Sequence, residues 1–454
     1  MAQLVAVGDS LTQGFASGAI SRTDKSYPKM IADCMGLGPN DFRLPDFTGA
    51  GGLPLNIEGI ARQLEKDYGN NISNFQWIGA ILDIHSYLDR VEDYWERGHG
   101  NMPLGVDVLF NNVAVFGFEV ADCVLTAAQC KNKFKDTIDN VFLPIVAASR
   151  ERTAYRTLNP QYQSGLDATR TQIEVCRQIV AVDGKIENLI VALGANNCLP
   201  TVVKLKVDMT GQAPPGPFSG YTLWSTSAFQ QDYSLLVSQI EALNVGHVFV
   251  GNVPHVTIPP LAHGVMKNGG PLPPNEKYFD YYKYFWVKDG DFNPLFHKHL
   301  IKAQAEQIDA QIDAYNQIIA DEVKRHANWH LVDLCSVLDQ LAIRRNHGVP
   351  TYPMPVAIAD LGVGYFQIAA DLKVQVGTGL FSLDGVHPTN CGYAIMAQEF
   401  IEVMRPFVAG IKDVDFAAIR ADDSLVTNPP YTLADMVGML GALDKYFFFT
   451  EWLI

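Results

Sequence analysis

Five short runs of residues, at 4–7, 108–115, 189–193, 247–251 and 330–334, are apolar and β-branched with little polar alternation. A strand that is apolar on both sides of its pleat must be covered on both faces. Such strands belong to parallel sheets sandwiched between helices. Helical patterns fall where that arrangement needs them. Ile308, Ile312, Tyr315, Ile319 and Val323 recur at steps of three and four, as do Met396, Phe400, Val403 and Phe407. Residues 121–148 and 166–182 also read as helical. The expectation is a parallel α/β protein.

Between these elements lie long stretches, 16–105, 200–225, 255–295 and 338–380, rich in Gly, Pro and aromatic residues and without repeats. Loops of that length carry either function or small structures of their own. The chain is therefore read as one catalytic domain over residues 1–454, with insertions at about 19–105, 255–295 and 338–380. An apolar extension, 410–454, follows. Its last part, 436–454, is interrupted by Asp444, Lys445 and Glu451, which marks a packing or interface segment rather than a membrane anchor. The start of the chain runs directly into the apolar residues 4–7 with no charged region followed by an apolar run. That points to a cytoplasmic protein, or to a secreted one if a leader has been trimmed.

A formal charge of −15 argues against a nucleic-acid partner, which needs a basic stripe. The seven cysteines, at 34, 123, 130, 176, 198, 335 and 391, form no CxxC pair, so neither a zinc site nor a disulfide framework is expected. No HExxH is present. Pro294 replaces the glycine that a calcium loop beginning at Asp289 would need. No metal and no cofactor is expected. The absence of any Gly-x-Ser-x-Gly removes the nucleophile elbow of α/β-hydrolases.

Two segments carry the chemistry. Gly8-Asp9-Ser10-Leu11 follows the first strand run directly, placing Ser10 at the carboxyl end of a parallel strand, where such sheets bind ligands. Asp384-Gly385-Val386-His387 lies near the other end of the chain. There a carboxylate three residues before an imidazole, across a glycine turn, can fix the imidazole's tautomer. Taken alone, Ser10 also fits a helix cap and Asp384 a simple turn. Two strand-end segments add to them: Asn112 to Gly117, with a bare backbone N–H at Gly117, and Gly194-Ala195-Asn196-Asn197, with a side-chain amide. Together they supply a nucleophile, a base, an orienting acid and oxyanion donors, which is what acyl transfer requires.

In this order the four segments resemble the GDSL or SGNH hydrolases, esterases and lipases that use a serine triad. The segments Ile308-Asp309 to Tyr315-Asn316 and Leu331-Val332-Asp333-Leu334 add to the likeness, which spans residues 4–18, 106–130, 186–255, 301–340 and 381–408. The resemblance implies a three-layer α/β/α sandwich, flavodoxin-like, with five parallel strands in the order 2-1-3-4-5. It implies Ser10, Asp384 and His387 as the catalytic triad, and the Ser10 and Gly117 amides with Asn196 as the oxyanion hole. The activity it implies is hydrolysis of a small-molecule carboxylic ester, with acyl transfer, thioester cleavage or a non-catalytic carbohydrate-binding role as alternatives. Two departures stand out. Position 197 is Asn where the family has Asp, so a charge is lost though not the hydrogen bonding. Residues 19–105 separate the first two blocks far more than the family's minimal pattern does.

The run 278–286 holds seven aromatic residues in nine positions. It reads either as an acyl-site wall presenting Tyr282 and Phe285 to substrate, or as an insertion packing its rings on the rest of the protein.

Overall fold

The computed structural model describes all residues except 74, 107, 136, 138–143, 164, 218, 363–378 and 440–454. Most of the apolar run at 436–454, and much of the insertion at 338–380, lie outside the described residues. Among the described residues nine strands are formed: β1 (Ala2–Gly8), β2 (Ala19–Ile20), β3 (Leu53–Pro54), β4 (Ile186–Ala192), β5 (Val245–Gly251), β6 (Ala262–Val265), β7 (Tyr281–Tyr284), β8 (Leu300–Ile301) and β9 (Trp329–Val332). The main sheet is wholly parallel, in the order β1-β4-β5-β9.

Burial on both faces explains the unbroken apolar runs. Val5, Val7, Leu189, Val191, Val248 and Val250 point into one core, shared with the helices Gln172–Asp183, Thr226–Glu241 and Lys302–Arg325. The alternate residues Leu4, Ala6, Ile190 and Phe249 point the other way, against the helices Tyr27–Cys34 and Asn390–Met404. Each is nearly or fully buried, so truncating Ile190 to Ala removes packing worth roughly 2–5 kcal/mol.

The sheet has four strands where five were expected, because the run 108–115 does not form a regular strand. Residues 111–115 do lie along the free edge of β1. Ala6 N–H donates to Asn111 O, and the Val113 and Val115 amides donate to Ala6 O and Gly8 O. Only one parallel bridge results, Ala6 with Asn112. The Asn112 side chain is the reason. Its Oδ1 accepts the Ala114 N–H and its Nδ2 donates to Thr12 O, which coils the segment where a strand would run straight.

The long stretches carry their own structure. Residues 16–105 contain the β2–β3 pair and the helices Tyr27–Cys34, Ile57–Tyr68 and Trp77–Glu96. β6, β7 and β8 form a separate antiparallel sheet that takes in much of the aromatic run. Within 121–148 the described helices are short, a 3₁₀ turn at Val120–Val124 and a helix at Ala127–Phe134. All seven cysteines are unpaired, and six of them are buried.

Candidate active site

β1 ends at Gly8, where a side chain would collide: a Cβ there would lie 2.7 Å from Ala192 O on the neighbouring strand. The close approach lets the chain turn at once into the short helix Ser10–Gln13. Asp9 caps that helix by accepting the Leu11 N–H at 3.1 Å. Behind the turn, Gln172 Nε2 donates to both Gly8 O and Val113 O. Ser10 is therefore held at the carboxyl edge of the sheet by bonds on both sides.

Asp384 and His387 come from a tight turn near the far end of the chain. Ser382 N–H donates to His387 O at 2.7 Å and Gly385 N–H to Ser382 O at 3.0 Å. Gly385 has φ near +71°, and a Cβ there would press on Leu261 N at 3.0 Å, so only glycine suits the position. The following helix, Asn390–Met404, is capped by the Thr389 hydroxyl, which accepts the Gly392 N–H. The turn is latched to residues 15–18. Gly18 N–H donates to Asp384 Oδ2 and Ser17 N–H to Ser382 Oγ. The Tyr393 hydroxyl donates to Phe15 O.

These supports bring the three side chains into one line. His387 Nε2 lies 2.9 Å from Ser10 Oγ, and His387 Nδ1 lies 3.0 Å from Asp384 Oδ2. Asp384 Oδ1 also accepts the Val386 and His387 amides. Burial by itself would raise the Asp384 carboxyl. The charge of His387 and the hydrogen bonds from His387 and Val386 outweigh it and hold the group below the ordinary carboxylate range. The Phe15 ring lies against the imidazole, centroids 4.6 Å apart. Ser10 and His387 remain only 5% and 8% exposed, a desolvated setting that strengthens each bond in the chain.

No protein-family model matches the chain, and no curated protein matches it. One solved structure, LAE5, an alpha/beta hydrolase enzyme from the metagenome of Lake Arreo, Spain, aligns over 89% of this chain and 95% of its own. The identity is 13% and the TM-score 0.30. A superposition that loose carries no argument about fold or activity, which rest on this chain's own residues.

Two of the expected oxyanion donors, Gly117 and Asn196, are tied to one turn. Phe116 N–H donates to Gln13 Oε1 at the end of the Ser10 helix, which ties down the turn that contains Gly117. Asn196 Nδ2 donates to Phe118 O at 2.9 Å, so the Asn196 side chain reaches the same turn and has a second N–H to offer. Asn197 is fully buried, and its Oδ1 accepts the Val120 N–H, a bond an aspartate would also make. Its Nδ2 has no hydrogen-bond partner among the described residues.

Tyr282 and Phe285 are placed elsewhere. The cavity that opens at Ser10 and His387 is walled by Leu199, Ile258, Val337, Leu338, Leu341 and Ile395, among others, and no residue of 278–286 borders it. The Tyr282 ring packs in the core, with its hydroxyl accepting the Phe279 N–H, and the Tyr284 hydroxyl donates to Val203 O. β-pairing explains the difference: once Tyr281–Tyr284 becomes the middle strand of the small sheet, its rings are consumed between that sheet and the core. Phe285 does support the site from behind, its ring standing against Gly385. The cavity, about 110 Å³, is almost wholly apolar. A single water needs ~10–15 Å³, so there is room for a chain of several carbons. Its apolar walls, such as Leu199, Ile258, Val337 and Ile395, come from helices and loops with no motif, and nothing in the sequence marked them. The latch through Phe15, Ser17 and Gly18 was equally silent.

Proposed function

We propose that this chain is a serine hydrolase that cleaves carboxylic esters with an apolar acyl group, built on the GDSL or SGNH plan. The observation that carries the proposal is the continuous line of bonds from Ser10 Oγ through His387 to Asp384. In this reading His387 Nε2 takes the Ser10 proton as Oγ attacks the ester carbonyl, and Asp384 holds the imidazolium that forms. The Ser10 and Gly117 amides and the second N–H of Asn196 receive the oxyanion. His387 then passes its proton to the leaving alcohol and later draws one from the water that releases the acyl group. No step calls for a cofactor.

The sheet supports the same plan. With 111–115 lying along β1, the spatial order from that segment through β1, β4, β5 and β9 follows the order 2-1-3-4-5. The apolar cavity supports an acyl chain rather than a sugar or a charged acid. Ser10→Ala should lower hydrolysis of p-nitrophenyl esters by about three orders of magnitude or more with circular dichroism unchanged. A Ser10→Ala protein that hydrolyses such esters at the wild-type rate refutes the proposal.

A further inference from the structure

One cluster outside the triad brings together three different metal-ligating groups. Cys335 and Asp339 stand four residues apart on the helix Leu334–Leu341, hence on one face. His255, in the loop after β5, meets them there. A His255 ring nitrogen, Cys335 Sγ and an Asp339 carboxylate oxygen all lie within 4.8 Å of one another, and His255 Nδ1 lies 2.8 Å from Asp339 Oδ1. A tetrahedral ion bonded at ~2.0–2.3 Å needs ligand atoms ~3.3–3.6 Å apart. The imidazole and carboxylate would part by less than an ångström to admit it.

The surroundings are those of a supported ligand set. His255 Nε2 faces Asp313 Oδ1 at 3.3 Å, the carboxylate partner that orients a metal-binding imidazole from behind. Loop and helix are pinned together. Asn252 Oδ1 accepts the Cys335 N–H, and Asn252 Nδ2 donates to Asp333, which caps the helix. His255 and Cys335 are buried, while the Asp339 side chain is 46% exposed and gives an ion a way in.

We propose that His255, Cys335 and Asp339 bind one divalent ion of the zinc type, with a fourth position open to solvent. Thiolate with imidazole and a single carboxylate selects zinc over magnesium or calcium, which take all-oxygen sets. The Cys335 thiol proton leaves to solvent as the thiolate binds. The +2 charge is balanced by one thiolate and one carboxylate, and nothing is oxidised or reduced. His255, Leu334, Val337 and Leu338 also border the cavity at Ser10. The ion would cross-link that wall, and its binding does not depend on Ser10 being a nucleophile.

Cobalt(II) is the probe, added to the reduced, metal-stripped full-length protein. The expected result is one equivalent bound, with the absorption of a tetrahedral site and a thiolate-to-cobalt charge-transfer band. Zinc should displace it. Cys335→Ser should abolish the charge-transfer band, and Asp313→Asn should weaken binding ~10–100-fold. Ser10→Ala should bind cobalt like wild type, which separates this site from the hydrolase reading. Absence of stoichiometric binding, or a band that survives in Cys335→Ser, overturns the proposal. Should Cys335→Ser fail to fold, Asp339→Asn, at a half-exposed position, decides in its place: unchanged cobalt affinity there overturns the site.

Discussion

Asp9 sits beside the proposed nucleophile in an environment that resists its charge. It is 2% exposed, and burial pushes its carboxyl up to about 7, against the opposing pull of the Leu11 amide and of His387. A carboxyl raised in the folded state holds its proton between pH 4 and 7, where the unfolded chain has already released it. Folding stability therefore falls as pH rises through that window, and a shift of this size corresponds to about 4 kcal/mol once Asp9 is fully ionised. Asp9→Asn keeps the cap and removes the ionisation. Its melting temperature should match wild type near pH 4.5 and exceed it at pH 8; an offset independent of pH would show that Asp9 is not the titrating group. The two asparagines differ in the same local way. Asn196 Nδ2 donates to Phe118 O and, in the proposed mechanism, turns its second N–H to the oxyanion, whereas Asn197 holds the Val120 amide. Asn196→Ala should lower kcat more than it raises KM, at ~3 kcal/mol for a lost donor, and Asn197→Asp should stay near wild type. A larger loss at Asn197 would mean the roles are reversed.

At the scale of elements, the helix Leu334–Leu341 lines the cavity at Ser10, and in the proposed function it limits which acyl chains fit. Leu338→Trp should fill the cavity while leaving Ser10, Asp384 and His387 untouched. A substrate denied burial of two or three methylenes loses about 2 kcal/mol, roughly thirtyfold in kcat/KM. The loss should appear for p-nitrophenyl octanoate and be small for acetate; equal losses for both would show that the cavity does not hold the acyl chain. Apolar runs were legible in the sequence because β1, β4, β5 and β9 are each covered on two faces. The run at 108–115 had the same composition, yet the Asn112 side chain captured the Ala114 amide, a local choice that hydrophobic pattern cannot register. The aromatic run misled for a related reason. Composition shows that Tyr282 and Phe285 must be buried against something, but pairing in the small sheet decides against what. Ser10 and His387, by contrast, stood out because a serine at a strand end and an imidazole three residues after a carboxylate are the residue types acyl transfer would use. The latch from Phe15 to Gly18 acts mostly through backbone groups, which any sequence provides. Cys335, Asp339 and His255 form no spaced motif, since helix periodicity joins two of them and the fold alone adds the third.

For the whole molecule, the formal charge of −15 counts carboxyls whose ionisation the fold shifts to higher pH. Burial raises Glu119 to about 8, helped by neighbouring Asp122. Burial also raises Asp122 and Asp232 each to about 6, with Arg150 opposing it at Asp122. Like Asp9, each binds a proton in the folded state that the unfolded chain releases near pH 4, so all of them lower stability as pH rises from about 4 to 8. Asp384, held low, acts in the opposite sense and loses its contribution only as pH falls below about 4. Thermal stability should therefore peak near pH 5 and decline toward pH 8.5. A melting temperature that climbs steadily over that range would contradict the burial of these groups. The central claim, that Ser10 is a nucleophile activated by His387, is tested most directly by stoichiometric reaction with a fluorophosphonate followed by peptide mass spectrometry. The account predicts one adduct per chain, on the peptide containing Ser10, with loss of esterase activity in step and no adduct in Ser10→Ala. An adduct on a different serine, or full activity in a chain labelled at Ser10, would contradict it.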